Sequence, residues 1–466
     1  MNSFFSRPWS KFDFIKFVTP SILSLVSISL YMAVDAIFIS RFIGTLAMAA
    51  VNIIMPLFSI SIGIGVMVAT GASATIGIEL GQGKRDRANA HFSFVFCFLF
   101  LVFIGLIISQ WAIGPERLAL WLGASKLLLP YCVQYLNIFL FGISALVLQM
   151  FFEFFMRLDG KPSWALYSSL LGGATNILLD YILIVRYGMG VDGAAIASCA
   201  GIFISCLNGA IYFLFKAKTL RFIRPLIDWP FLFRSMFNGF SEMVTEIAAA
   251  VQTLVFNYLM LGYAGEAGVA AMSILMHLYF LMSSLYIGLG MGVSPLISFN
   301  YGCRNPGKIS ELLTRAIQLT LFFALFSFAM AFCFGDNLIQ IFAKGQVSVV
   351  HIAEGGIKII AFSFLLNGMN ILASAFFTSV NNGKISTLIS SLRTFVFILG
   401  FALLLPPLIG VTGIWLSLPM AELSTLLISL FFMKKYRQHY LLPATTGEVK
   451  EKNSMQLIKK KEKEEA

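Results

Sequence analysis

The stretch from Leu171 to Cys199, LGGATNILLDYILIVRYGMGVDGAAIASC, decides how the chain is read. It is apolar enough to cross a bilayer, yet it carries Asn176 and Asp180 one helical turn apart. Residues four apart share a helix face, so both polar groups point the same way. Carrying an Asp to the middle of a membrane costs roughly 2.5–3.5 kcal/mol on insertion scales. Nothing else in the stretch repays that cost, so Asp180 needs a proton, a bound cation or a partner. The plainer alternative is a helix-packing hydrogen bond by Asn176, with Asp180 close to the water boundary.

The remaining sequence supplies the membrane setting. Of 466 residues, 58% are hydrophobic and only 12% are charged, against about 25% charged in soluble domains. A spanning helix takes about 20 mostly apolar residues. Twelve such runs are present, near 14–40, 45–70, 92–114, 130–155, 163–186, 193–215, 235–261, 268–298, 311–334, 350–379, 385–407 and 411–433. The alternation of a membrane β-barrel is absent. The expected fold class is therefore all-α, a polytopic membrane protein of 12 transmembrane helices.

Lys and Arg follow the even-numbered runs: Lys84, Arg85 and Arg87; Arg157 and Lys161; Lys216, Lys218, Arg221 and Arg224; Arg304 and Lys308; Lys384. The positive-inside rule puts those loops and both termini in the cytoplasm of a cell (inner) membrane. The net charge of +11 is thus a matter of topology and calls for no nucleic acid. The six cysteines are scattered and mostly within spans, and read as small apolar residues. There is no CxxC, HExxH, P-loop or GxSxG, so no enzyme, cofactor or structural metal is expected. Residues 1–13 are too polar for a cleaved signal peptide.

Topology and helical rise place the polar residues in depth. Asp35, in MAVDAIFIS, lies in the outer half of the first run, which also contains Pro20 as a bend point. Asn176 and Asp180 lie high in the fifth run, and Ser198 lies a few residues into the sixth, descending run. Four polar side chains from three spans thus reach one depth in the outer half of the bilayer. Hard oxygens suit Na⁺, and two close carboxylates equally suit a shared proton.

The chain also repeats. GTLAMAAVNIIMPL (44–57) is answered by GEAGVAAMSILMHL (265–278), and QGKRDRANA (82–90) by YGCRNPGKI (301–309). LDGKPSWALYSS (158–169) is answered by NNGKISTLISS (381–391), and GVDGAAIA (190–197) by GVTGIWLS (410–417). Six spans return a chain to the side it left, so the halves are parallel repeats around a central cavity. The expected division is an N-terminal lobe (1–215), a cytoplasmic linker (216–230), a C-terminal lobe (231–440) and a charged, disordered tail (441–466).

The second half does not copy the acidic site. Its seventh run carries Glu242 and Glu246, one turn apart, as a candidate second cation or drug site, with Arg393 as a candidate partner. Gln149 with Glu153, and Met276 and Met291, are candidate cavity-lining residues. His277 and His351 are expected to be structural. The Phe-rich run HFSFVFCFLFLVF (91–103) is expected to face lipid.

Over about residues 10–435 the chain resembles the multidrug and toxic compound extrusion (MATE) family. The resemblance rests on Pro20 with MAVDAIFIS (32–40), RLDGKP (157–162), the TNILLDYILI…GVDGAAIAS block (175–198), and GASATIGIELGQGKRDRA (71–88). It implies a cation-coupled (Na⁺ or H⁺) antiporter exporting organic, mostly cationic compounds by alternating access. It implies that Asp35, Asn176, Asp180 and Ser198 hold the coupling ion, with Ser198 where a Thr is commoner. One branch also uses a Glu on helix 7 with an Asp on helix 10; Glu242 or Glu246 answers the first, but the tenth run offers only Asn367 and Asn370. The expected partners are small-molecule drugs and membrane lipid, and the expected state is a monomer. The alternative is a lipid-linked oligosaccharide flippase of the same superfamily, which needs cationic side chains in the cavity.

Overall fold

The architecture comes from a computed structural model, which describes Phe5 and residues 9–343 and 347–441. The expected tail lies almost wholly outside the described residues. Everything regular in them is helical. The N-half holds α1 (Lys11–Phe38), α2 (Thr45–Gly81), α3 (Arg85–Ile113), α4 (Leu129–Leu158), α5 (Pro162–Asp180) and α6 (Gly190–Ile211). The C-half begins with one 74-residue run, Trp229–Gly302, broken at Gly265 (φ 65°) into α7 (229–264) and α8 (266–302). A positive φ costs glycine nothing, so the chain turns there without a loop. Then follow α9 (Pro306–Ala343), α10 (Val347–Ser379), α11 (Gly383–Ser391, continuing to Leu404) and α12 (Val411–Lys435).

Local chemistry sets the helix ends. Ser10 and Asp13 close a capping box at the start of α1, satisfying two backbone donors that a helix start leaves open. α1 stays helical through Pro20. Four turns at the basic-loop end share one backbone. Gly83, Gly160, Arg304 and Asn381 all have positive φ (77°, 82°, 54° and 60°). After each, an N–H reaches back to the last helical turn: Lys84 to Glu79 O, Lys161 to Met156 O, Asn305 to Asn300 O, Asn382 to Phe377 O. This is the six-to-one bond of a Schellman cap. The turns after α2 and α8 match, as do those after α4 and α10, so the sequence repeats are also repeats of backbone geometry.

The two halves meet at the basic-loop end and part at the other. One apolar cluster mixes both halves there: Phe14, Val18, Phe92 and Phe155 with Leu232, Leu289, Val293 and Phe299. A second cluster, including Ile54, Leu136 and Ile184, belongs to the N-half alone. A third, including Phe256, Leu275 and Trp415, belongs to the C-half alone. A shared core at one end and separate cores toward the other make a cleft that closes at the basic loops. Backbones touch where it closes. A Cβ on Gly71 would fall on Ser235 O and 2.8 Å from Gly239 N, and one on Gly302 would fall on Ile78 O and 3.0 Å from Gly81 Cα. A Cβ on Gly288 would lie 2.6 Å from Ile22 Cα.

Two further devices hold this end. Asp159 accepts from the backbone N–H groups of Lys218 (3.0 Å), Thr219 (2.7 Å) and Leu220 (2.8 Å) and from the Tyr212 hydroxyl (2.5 Å), pinning residues 218–220 under the N-half. His91, fully buried, stands 2.9 Å from Glu79 and 3.6 Å from Asp228, the N-cap of α7, and stacks on Phe231. The Phe-rich run is therefore not simply lipid-facing. His91, Phe92, Phe94, Val95 and Leu99 are buried, and Phe92 packs on Phe151, Phe155, Phe213 and Phe222.

Candidate functional site: a carboxyl pair in the N-half

The expected N-half residues converge. α1 and α5 pack side by side, with the Tyr31 ring on Gly173, where a Cβ would come within 2.7 Å. That contact fixes Asp35, one turn beyond Tyr31, opposite Asp180. Asp180 is fully buried and Asn176 is 4% exposed. α6 meets α5 just as closely, with Gly201 2.8 Å from Gly172 O, again measured from an added Cβ. This brings Ser198 to Asn176, whose Nδ2 donates to the Ser198 Oγ over 3.4 Å. At Asp180 the α-helix gives way to a π-turn, Tyr181–Arg186, a distortion frequent at functional sites.

The electrostatics of this cluster are unbalanced. Asp35 and Asp180 lie on the facing sides of α1 and α5, four and seven residues beyond the Tyr31–Gly173 contact, where two ionised carboxyls repel each other. Both Asp180 oxygens, Asp35 Oδ1 and Asn176 Oδ1 are buried and receive no donor from the described residues. Buried polar atoms are nearly always partnered, and an unpaired buried charge is costly. Such a set has the donors for a proton shared between the carboxyls or for a cation. Its chemistry fits either: two carboxylates, an amide oxygen and a hydroxyl are hard oxygen donors.

In the C-half, Glu242 and Glu246 lie on the α7 face toward α2, half-buried; an added Cβ on Gly63 would be 3.6 Å from the Glu246 Cβ. Arg393 does not pair with either. Its Nε donates to Glu422 over 2.9 Å and its Nη2 to Asn367 over 3.3 Å. Glu422, fully buried, also accepts from the Tyr279 hydroxyl (2.9 Å) and Asn370 Nδ2 (2.8 Å). A charged residue in the apolar twelfth run was a readable signal, and sequence reasoning passed over Glu422. Asn367 and Asn370 serve this network.

Of the candidate cavity residues, Met291 packs at the junction of the halves with Met150 and Phe154. Met276 instead rests against the C-half core. Gln149 is buried inside the N-half and donates to Glu153 over 3.1 Å, so it does not line the cleft. His277 is exposed and bonds to the carbonyl of Ser273 in its own helix, and His351 is exposed.

Comparison with known proteins places this arrangement. The MatE family model matches residues 20–182 and again 243–404. The chain is 28% identical over 326 residues to the multidrug export protein MepA of Staphylococcus saprophyticus, covering 69% of this chain and 71% of that one. It is 27% identical over 337 residues to MepA of Staphylococcus haemolyticus, covering 72% and 74%. Among solved structures, a MATE protein in the straight conformation superposes with a TM-score of 0.86 at 19% identity, covering 92% of this chain and 96% of that one. The outward-facing conformation of a multidrug resistance MATE family transporter also superposes at 0.86 and 19% identity, covering 92% and 96%. The same family model twice over, on a helical fold shared from end to end, makes this chain a member of the MatE family of membrane transporters.

Proposed function

We propose that the protein is a cation-coupled multidrug antiporter that exports organic, mostly cationic compounds by alternating access. The observation that carries this reading is the carboxyl pair of Asp35, half-buried, and Asp180, fully buried, in which Asp35 Oδ1 and both Asp180 oxygens have no protein donor among the described residues. Such a pair is stable only with something positive in it. The names of the MepA relatives support the export of drugs.

In this reading the basic-loop end is cytoplasmic, and the chain works as a monomer of two lobes, 1–215 and 231–440, joined by the linker 216–230. The described state is open outward. H⁺ or Na⁺ entering from outside neutralises Asp35 and Asp180 and lets α1 repack against α5, with Pro20 as the place where α1 gives. The drug, held in the cleft near Met291 and the Glu242/Glu246 face, leaves outward. Ion and drug favour opposite states, so coupling is a difference of affinities between two conformations. The flippase reading is weaker, because Arg393 is already held by Glu422 and offers no free cation for a pyrophosphate.

The test is uptake of a fluorescent organic cation into inverted vesicles under separately imposed H⁺ and Na⁺ gradients. The expected result is gradient-driven uptake that Asp35→Asn abolishes while expression and insertion persist. Wild-type rates in that variant would overturn the proposal.

A further inference from the structure

Below the carboxyl pair, two polar stripes run toward the basic-loop end. On α1 they are Asp35, Tyr31 and Ser24; on α5 they are Asp180, Asn176 and Ser169. The spacing of four and seven residues keeps each stripe on one helix face, and α1 and α5 face each other. The seam ends on α4. Ser24 Oγ lies 2.6 Å from Ser169 Oγ, Arg157 Nη2 is 3.5 Å from Ser24 Oγ, and Arg157 pairs with Glu153 at 3.2 Å. Ser24, Ser169, Glu153 and Arg157 are all buried. Tyr31 lies on the same seam, its ring against Gly173.

The seam is not satisfied by protein alone. At its α4 end, Gln149 Oε1, Arg157 Nε and Arg157 Nη1 are buried without a partner among the described residues. Arg157 is 1% exposed. Orphaned donors and acceptors on one internal line call for water, which typically makes about three hydrogen bonds in such places. We propose that this α1–α5 seam is the internal route by which the carboxyl pair releases its cation toward the basic-loop side, that Tyr31 and Glu153 carry protons along it, and that it excludes Na⁺. This rests on the antiport reading above and deepens it by naming the ion.

The exclusion is geometric and electrostatic. Two hydroxyls in contact at 2.6 Å leave no room for an ion between them, but a hydrogen bond is a path for a proton. The Arg157 guanidinium stands beside that contact and repels any free cation. A proton leaving the carboxyl pair is taken by the Tyr31 oxygen or a water beside it, as the hydroxyl gives its own proton onward. Glu153 accepts that proton, weakening its hold on Arg157, and gives it up to water at the basic-loop end. No bond other than O–H forms or breaks.

The test uses purified full-length protein in liposomes, with a fluorescent organic cation, Tyr31→Phe and Glu153→Gln. In the wild type, a pH gradient drives dye movement and an Na⁺ gradient at equal pH does not. Each variant loses about 100-fold in pH-driven maximal rate, the low end of what a positioned proton carrier contributes. KM for the dye is unchanged, and dye–dye exchange at equal pH continues, since exchange moves no net proton. Tyr31→Phe removes one oxygen and stands in if Glu153→Gln does not fold. Equal driving by Na⁺ alone, or full pH-driven rates in a variant that still exchanges dye, overturns the proton route and leaves the antiport reading intact. Failure of every gradient to move dye overturns both.

Discussion

Replacing Gly71 by Ala should open the closed end of the cleft. Its Cβ would fall on the Ser235 carbonyl oxygen and 2.8 Å from Gly239 N. Both are backbone atoms of α7, so no side-chain rotation relieves the clash. Carbon contacts relax near 3.5–4.0 Å, so α2 and α7 must separate by well over 1 Å at the narrowest point of the junction. Overpacking of this kind costs about 1–3 kcal/mol, charged only to the state in which these backbones touch. The equilibrium then moves about 5- to 150-fold toward conformations parted at the basic-loop end. Spin labels at Lys84 and Arg304, exposed in the α2–α3 and α8–α9 turns of opposite halves, report the change by pulsed electron resonance. A longer-distance population should grow by that factor in Gly71→Ala. An unchanged distance distribution in a folded protein would refute the view that glycine contact holds the two halves together.

Other outcomes follow from single partners. Asp180→Asn should abolish ion-driven transport while dye–dye exchange persists, because the amide can no longer share a proton or bind a cation with Asp35; transport assays in liposomes read this. Glu422→Ala strands Arg393 and the Tyr279 and Asn370 donors and should destabilise the C-half by about 3–5 kcal/mol, whereas Glu422→Leu with Arg393→Met should recover most of the loss; thermal unfolding in detergent compares them. Asp159→Ala releases three backbone donors and the Tyr212 hydroxyl and should cost about 3 kcal/mol, seen as faster proteolysis of residues 217–228.

The carboxyl site was legible because charge in an apolar run has few explanations, and because α1, α5 and α6 leave their ends at known depths. The same logic marked Glu242 and Glu246 as candidates. It missed Glu422, and so mispaired Arg393, because which helices of the C-half adjoin is not a property of any one run. Gln149 looked like a cavity residue for the same reason: its face of α4 turns inward to Glu153, while Met150 and Phe154, on the next face, turn to the junction.

By itself the sequence determined the membrane setting, the helical spans and the internal repeat, all of which depend on composition and periodicity along one segment. Only the tertiary structure decided which faces meet: that glycines close one end, that Arg157 and Arg393 are already paired, and that Asp35 Oδ1 and both Asp180 oxygens lack a donor among the described residues. Helix rotation and neighbour choice arise from packing many side chains at once, and no local pattern carries that sum.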